Sequence, residues 1–362
     1  MAVSEVWRAK ARARLDTLTK PLGSLGRLED LAAQVVAIRQ EQALEPLRCG
    51  VYVFAADHGV TAESVSVYPS EVTRQMVLNF VGGGAAINVL ARLHGVALTV
   101  VDVGVDGEFL DLEFQGVAGM VHAKVRRGSR NLRREAAMSE DEMAAAMRVG
   151  ERMAEEAAVS GCNVVAAGEM GIGNTTSASA IAAALTGASV RLVTGRGTGV
   201  DEAQRERKVR VVEESLALHF GLGGGDEPTS QKRDVGHPIL LARDVLRCLG
   251  GLEIAAMVGF YVAAARLGLV IVCDGFIATA AAAVAVGMVP EVAGYLIAGH
   301  RSEEPGHAVL LDHLGLRPVL DLGMRLGEGT GAVLAMTVIA SAMALYGQMA
   351  TFAGAGVSEA SA

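Results

Sequence analysis

Short, continuously apolar runs that end in a polar residue or a glycine constrain this chain most. Residues 50–56 run into Asp57, His58 and Gly59, and residues 97–103 run on towards Asp106. Residues 163–167 end at Gly168 and Glu169, and residues 269–273 end at Asp274 and Gly275. Shorter candidates at 295–298 and 318–320 end near His300 and Asp321. A strand with one wet face alternates polar and apolar residues, whereas a strand covered on both faces does not. These runs therefore read as parallel strands sandwiched between helices. Helical patterns fill the gaps at 71–93, 140–159, 175–185, 202–218, 252–267, 277–286 and 303–314. The alternation predicts an α/β fold with a doubly wound, mostly parallel sheet. Ligands in such folds bind beyond the carboxyl ends of the strands, which makes the polar tips the functional edge. The first forty or so and last thirty or so residues read as purely helical. The expected division is an α/β catalytic domain at 46–324 and a small helical domain built from 1–45 and 325–362.

Composition narrows the function classes. A chain of 362 residues with 51% hydrophobic residues can bury a sizeable core. Glycine is abundant at 44 residues and aromatics are scarce at 4%, so helices can sit close on a sheet and backbone stays accessible to ligands. A net charge of -8 argues against nucleic acid as the main partner, which needs clustered positive charge. The basic stretches at 124–127 and 130–134 read as solvated loops. Cys49, Cys162, Cys248 and Cys273 show no C-x-x-C spacing, so neither a zinc site nor a redox motif is expected, and a reducing cytoplasm suits them. Residues 1–14 are charged and carry no apolar core, so no signal peptide is expected. Residues 329–358 carry no charge and are long enough to span a bilayer. Their Gly, Thr, Ser and Gln content, and the absence of a basic flank on the C-terminal side, favour a buried core helix over a membrane span. The glycine run at 221–225, followed by residues 226–228, reads as a surface loop.

Three motifs can carry chemistry. Gly168-Glu169-Met170-Gly171-Ile172-Gly173-Asn174-Thr175-Thr176 follows a strand and opens a helix. Free backbone N–H groups at such a junction favour an anion such as a phosphate, although an ordinary capped turn explains the same residues. No Gly-Lys-Ser/Thr follows, so it is not a P-loop, and the glycines at 195–199 do not make a dinucleotide fingerprint. In the second motif, residues 325–331, Glu328 stands between Gly327 and Gly329 at the head of an apolar helix. It is either an acidic residue complementing the helix dipole or a general base in an apolar pocket. The third, Asp57-His58-Gly59, offers acid, base or metal-ligating groups. His300, His307 and His313 lack the i, i+4 spacing of a helical zinc pair, and no metal site is expected. Residues 82–86 are either a loop between two helices or a close helix contact.

These stretches, with Lys20-Pro21-Leu22-Gly23-Ser24-Leu25-Gly26-Arg27-Leu28-Glu29 and Asp274-Gly275-Phe276, run in order from about residue 20 to 335. In that order the chain resembles the nicotinate-nucleotide–dimethylbenzimidazole phosphoribosyltransferase family. The resemblance implies transfer of ribose 5-phosphate from nicotinate mononucleotide to a benzimidazole, in a homodimer using no metal or redox cofactor. It implies Glu328 as general base and Glu169 as a second acidic residue facing the substrates. Lys208 falls where a basic residue approaches the nucleotide. Gly171, Asn174, Thr175, Thr176, Asp274, Gly275 and Ser302 fall around the mononucleotide and its phosphate, and Leu326 with Gly327 walls the base pocket. Tyr68 and Met76 stand where some members carry Ser and Gln, which predicts a less polar acceptor pocket. Two other classes remain open on the residues alone: a metal-dependent phosphohydrolase using Asp57, His58, Asp274 and His300, and a non-catalytic nucleotide-binding sensor.

Overall fold

The computed structural model describes residues 2–109, 119–197, 199, 201–222 and 241–358. Helices α1 (Glu5–Asp16) and α2 (Arg27–Arg39) open the chain. They are followed by β1 (Cys49–Ala56), α3 (Glu71–Val81), α4 (Ala86–His94), β2 (Ala97–Gly104), β3 (Gly119–His122) and α5 (Glu140–Val159). Then come β4 (Val164–Met170), α6 (Asn174–Thr186), α7 (Val190–Val193), α8 (Glu202–Phe220), α9 (Ala242–Leu249) and α10 (Leu252–Arg266). The last third holds β5 (Val270–Cys273), α11 (Phe276–Met288), β6 (Leu296–Ala298), β7 (His300–Ser302), α12 (Pro305–Leu314), β8 (Leu320–Met324), α13 (Thr330–Gln348) and α14 (Phe352–Ala355).

The main sheet has the order β3-β2-β1-β4-β5-β6, and every neighbouring pair is parallel. The chain leaves β1 to build β2 and β3 on one side, then returns to lay β4, β5 and β6 on the other. The direction of winding therefore switches between β1 and β4, and this opens a crevice at their carboxyl ends. Val51, Val53 and Phe54 of β1 are wholly buried, as the absence of polar alternation predicted. On one face α10 runs buried from Leu252 to Ala265. It crosses α5 where Gly150 and Gly259 face backbone of the opposite helix too closely for any side chain.

Several expectations need correction. The pattern at 71–93 is two helices, because Gly82 closes α3 and Gly83 takes a positive φ of 80°. Asn88 then holds the break, donating from Nδ2 to Phe80 O at 2.8 Å and accepting from Ala85 N at 3.1 Å. Residues 82–86 are thus the loop alternative. The strand placed at 318–320 begins at Leu320 and leaves the main sheet, pairing with β7 in a separate two-stranded parallel sheet. His300 is accordingly the first residue of β7 and not a strand tip. The helix placed at 303–314 starts at Pro305, whose ring occupies the first turn. Of the glycine loop at 221–228, Gly221 ends α8 in the left-handed region with φ 67°, and positions from 223 onward lie outside the described residues.

The chain ends meet. Thr19 N donates to Ala350 O and Phe352 N to Thr17 O, both at 3.0 Å, and Arg14 Nε donates to Tyr346 O at 2.9 Å. Helix α2 packs on α1 and α13, and α13 also rests on α4, β4 and β5. One hydrophobic core runs from Ala11 in α1 through the sheet to Tyr346 in α13. By length and composition α13 could cross a membrane, and so could the stretch Glu71–His94. In α13, however, Ala332, Val333, Ala335, Met336, Ile339 and Ala342 are buried in the protein's own core.

Candidate active site

At the switch point lies a cavity of about 610 Å³. Its floor is the end of β4. Glu169 pairs in register with Phe54 of β1 and is 7% exposed. Asn174 Nδ2 donates a hydrogen bond to Glu169 Oε2. Burial first, then the carboxylates of Glu253 and Asp274, pushes the Glu169 pKa up to about 8.

The turn from β4 into α6 is partly used up by its own hydrogen bonds. Ile172 N donates to Thr73 Oγ1, Asn174 N to Gly171 O and Thr176 N to Gly173 O, so these amides are engaged. The expected supply of free N–H groups is thereby narrowed. Thr176 itself is fully buried inside α6 and does not line the cavity. Gly171, Asn174 and Thr175 do line it. Thr175 Oγ1 accepts from Lys208 Nζ at 2.7 Å, and Lys208 is 1% exposed. Burial pulls the Lys208 pKa down to about 8, opposed by the nearby Glu304 carboxylate. A cation whose charge is this poorly solvated gains strongly from an anionic partner.

Asp274, Gly275 and Ser302 form the adjoining wall. Asp274 Oδ2 accepts from Gly329 N at 3.2 Å and its Oδ1 from Ala332 N at 2.9 Å. Both oxygens thus cap the start of α13, and the residue holds the next segment in place. That segment is unusual. Gly327, Glu328 and Gly329 all take positive φ, at 86°, 63° and 90°. For Glu328 this conformation costs on the order of 1 kcal/mol. The turn lies so close to β4 that a side chain at Gly168 would overlap the Glu328 backbone. Glu328 is buried at 5% exposure, and its carboxylate accepts a hydrogen bond from Ile87 N in the first turn of α4. Its Oε2 is buried with no partner among the described residues, and the residue belongs to the cavity lining. Burial raises the Glu328 pKa to about 7, with the Ile87 amide opposing and Asp274 adding. One oxygen held by an amide and the other left without a protein partner is an arrangement that suits a positioned base.

Another part of the lining is apolar. Tyr68, Met76 and Leu326 line it with Val65 and Val72, and Gly327 joins them beside the Glu169 carboxylate. Tyr68 is 49% and Leu326 55% exposed, so this end opens to solvent.

Sequence reasoning missed His300, Glu304, Arg196 and Arg325 as cavity residues. Glu304 precedes Pro305 at a helix start, a position that reads as a cap, and His300 was weighed only as a metal ligand. The Asp57-His58 tip turns inward. His58 Nε2 lies 2.6 Å from Glu253 Oε1 and Nδ1 lies 3.1 Å from Ser177 Oγ, and all three residues are buried. Asp57 Oδ2 accepts from Asp106 N at 2.7 Å. Among the described residues no three His, Cys, Asp or Glu side chains converge to hold a metal ion. Of the set weighed for a phosphohydrolase, Asp57 and His58 are thus taken into structural hydrogen bonds outside the cavity lining, while Asp274 and His300 line it.

Fold and site define an α/β group-transfer enzyme whose pocket sits at the switch point of a doubly wound sheet, with a buried lysine, two carboxylates and an apolar wall in its lining. The family model described as Phosphoribosyltransferase matches residues 1–357. The nicotinate-nucleotide–dimethylbenzimidazole phosphoribosyltransferase of Desulforudis audaxviator is 49% identical over 97% of this chain and 93% of its own. That of Geotalea uraniireducens is 46% identical over 99% and 96%. The crystal structure of CobT from Thermus thermophilus superposes with a TM-score of 0.88 at 45% identity, covering 98% of this chain and all of that one (100%). The chain belongs to the nicotinate-nucleotide–dimethylbenzimidazole phosphoribosyltransferase family.

Proposed function

We propose that this protein transfers the ribose 5-phosphate of nicotinate mononucleotide to 5,6-dimethylbenzimidazole. The products are nicotinate and α-ribazole 5′-phosphate, a nucleotide of cobalamin biosynthesis. The observation that carries the reading is a single cavity whose lining combines a buried Lys208–Thr175 pair, an apolar wall and two carboxylates poised near neutrality.

The chemistry follows. The bond from C1′ to the cationic pyridine nitrogen breaks, and its electron pair neutralises that nitrogen as nicotinate leaves. Oxocarbenium character develops at C1′, as in glycoside cleavage. The unprotonated benzimidazole nitrogen attacks from the opposite face, turning a β-linked donor into an α-linked product. The proton on the other ring nitrogen passes to a carboxylate, Glu328 in this assignment, with Glu169 facing the same substrates. Lys208, Thr175, Gly171, Asn174, Gly275 and Ser302 hold the phosphoribosyl part, and Tyr68, Met76, Leu326 and Gly327 enclose the acceptor. In-line placement of both rings supplies much of the acceleration. This scheme requires no metal or redox cofactor and is assigned to a cytoplasmic homodimer with no membrane span. The core-facing residues of α13 support the last point.

Incubation with nicotinate mononucleotide and a panel of benzimidazoles, purines and phenols, followed by mass analysis, tests the reading. One nicotinate released per nucleotide formed, undiminished by a chelator, is the expected result. Binding without release would leave a nucleotide sensor, and chelator-sensitive phosphate release would indicate a phosphohydrolase.

A further inference from the structure

We infer that His300 reads a ribose hydroxyl of the donor through Nε2, an assignment that rests on the phosphoribosyl-transfer reading above. His300 is 1% exposed, yet it lines the cavity. Its Nδ1 lies 3.1 Å from Arg301 O. A carbonyl oxygen only accepts, so Nδ1 carries the hydrogen and donates it; in the neutral ring Nε2 is then a bare acceptor. Nε2 has no hydrogen-bond partner among the described residues. Asp274 Oδ1 is 3.8 Å away, beyond hydrogen-bonding distance, and is already taken by the Ala332 amide. The ring packs directly on Gly331, where any side chain would overlap it. A buried acceptor held without a partner is costly, and a ligand donor removes that cost.

Position selects the ligand group. On one side of the ring are Gly275 and Ser302. A side-chain carbon on Gly275 would stand 3.2 Å from His300 Nε2 and 3.8 Å from Ser302 Cβ. Ser302 Oγ accepts from Glu304 N, and Glu304 acts electrostatically on Lys208, so that direction leads to the anion-binding end. On the other side Asp274 leads through Gly329 to the Glu328 turn. Between a phosphate at Lys208 and a base at the carboxylates stands the sugar. Its hydroxyls are donors, whereas ionised phosphate oxygens only accept.

The test compares nicotinate mononucleotide, its 2′-deoxy and 3′-deoxy analogues and nicotinate riboside as donors, with saturating dimethylbenzimidazole. The enzymes are the parent, His300→Asn and His300→Gln. Asparagine keeps an N–H for Arg301 O and deletes Nε2; glutamine returns an amide oxygen near the Nε2 position. Loss of a sugar hydroxyl changes the intrinsic reactivity at C1′ equally in all three enzymes, so only the change in ratio is read. The parent should prefer the full donor to one deoxy analogue by about tenfold in kcat/KM, and His300→Asn should reduce that preference to about twofold. His300→Gln should restore part of it. An unchanged ratio in His300→Asn overturns the assignment. So does a parent indifferent to both hydroxyls, a result that needs no variant to fold. A ratio that moves only between riboside and nucleotide would place Nε2 on the phosphate and equally overturn it. If the parent releases no nicotinate from the full donor, the phosphoribosyl-transfer reading fails and takes this assignment with it.

Discussion

Glu328 and Glu169 face one cavity, but their surroundings separate them. Glu328, raised to about 7, is ionised over more of the neutral range than Glu169, raised to about 8, and its Oε2 has no hydrogen-bond partner among the described residues. If Glu328 takes the proton, kcat should rise with pH up to about 7 and then level. Glu328→Gln should keep both substrates bound while lowering kcat by on the order of 10²–10⁴-fold, and Glu169→Gln should retain the limb near neutrality. Single-turnover rates across pH check this; a live Glu328→Gln beside a dead Glu169→Gln reverses the roles. Stability gives a second readout. Both groups have folded pKa values above the ordinary 4.5, so the fold favours their protonated forms. That stabilisation is complete below about pH 4.5 and is lost as pH rises through about 7 to 8. Each Gln variant should therefore gain more in Tm over the parent at about pH 9 than at about pH 5. Both carboxylates were legible in the sequence because each sits among glycines at an element boundary. Glu253 was not, because it meets His58 across 195 residues and only folding brings the two together.

At the scale of elements, the turn carrying Glu328 is held in its left-handed conformation from outside. Asp274, at the end of β5, accepts from two amides at the start of α13. In Asp274→Ala those amides lose their buried acceptors, which should cost about 1–3 kcal/mol in urea unfolding. Relief of the raised carboxyl pKa offsets some of that cost. Asp274→Asn keeps one acceptor and should fall between parent and Ala. Because the turn positions Glu328, kcat should drop more than acceptor KM rises. An unchanged denaturation midpoint in Asp274→Ala would show that the turn is held by other contacts. The elements were readable where a long helical stretch is bounded by a cap or a glycine: Ser139 before α5, Asp201 and Gly221 about α8, and Gly251 and Gly268 about α10. They were misread where tertiary contacts decide: the chain breaks at Gly82–Gly84 although the apolar pattern continues, and β8 leaves the main sheet to pair with β7. β3 is four residues at the sheet's edge, none of them buried, and too short to announce itself.

At the scale of the whole molecule, the question is whether the helical unit at 1–45 and 325–362 unfolds with the sheet or apart from it. Helix α1 reaches the rest of the protein through α2 and through the hydrogen bonds between residues 14–19 and 346–352. Helix α13, in turn, lies on β4 and β5, and the apolar core is continuous from Ala11 to Tyr346. Separating the two parts would expose that shared surface, at roughly 25 cal/mol per Å² of apolar area, with no second core to compensate. The division is therefore proposed as one of architecture and not of cooperativity. The chain has a single tryptophan, and it is well placed to test this: Trp7 sits on α1, packed against the core. Its fluorescence reports the helical unit alone, whereas far-UV circular dichroism reports the whole protein. In urea the two signals should give coincident midpoints and a single m-value. A Trp7 transition completed before the circular dichroism changes would mean that 1–45 and 325–362 fold as an independent domain, and that the continuous core does not couple the base-bearing turn to the sheet.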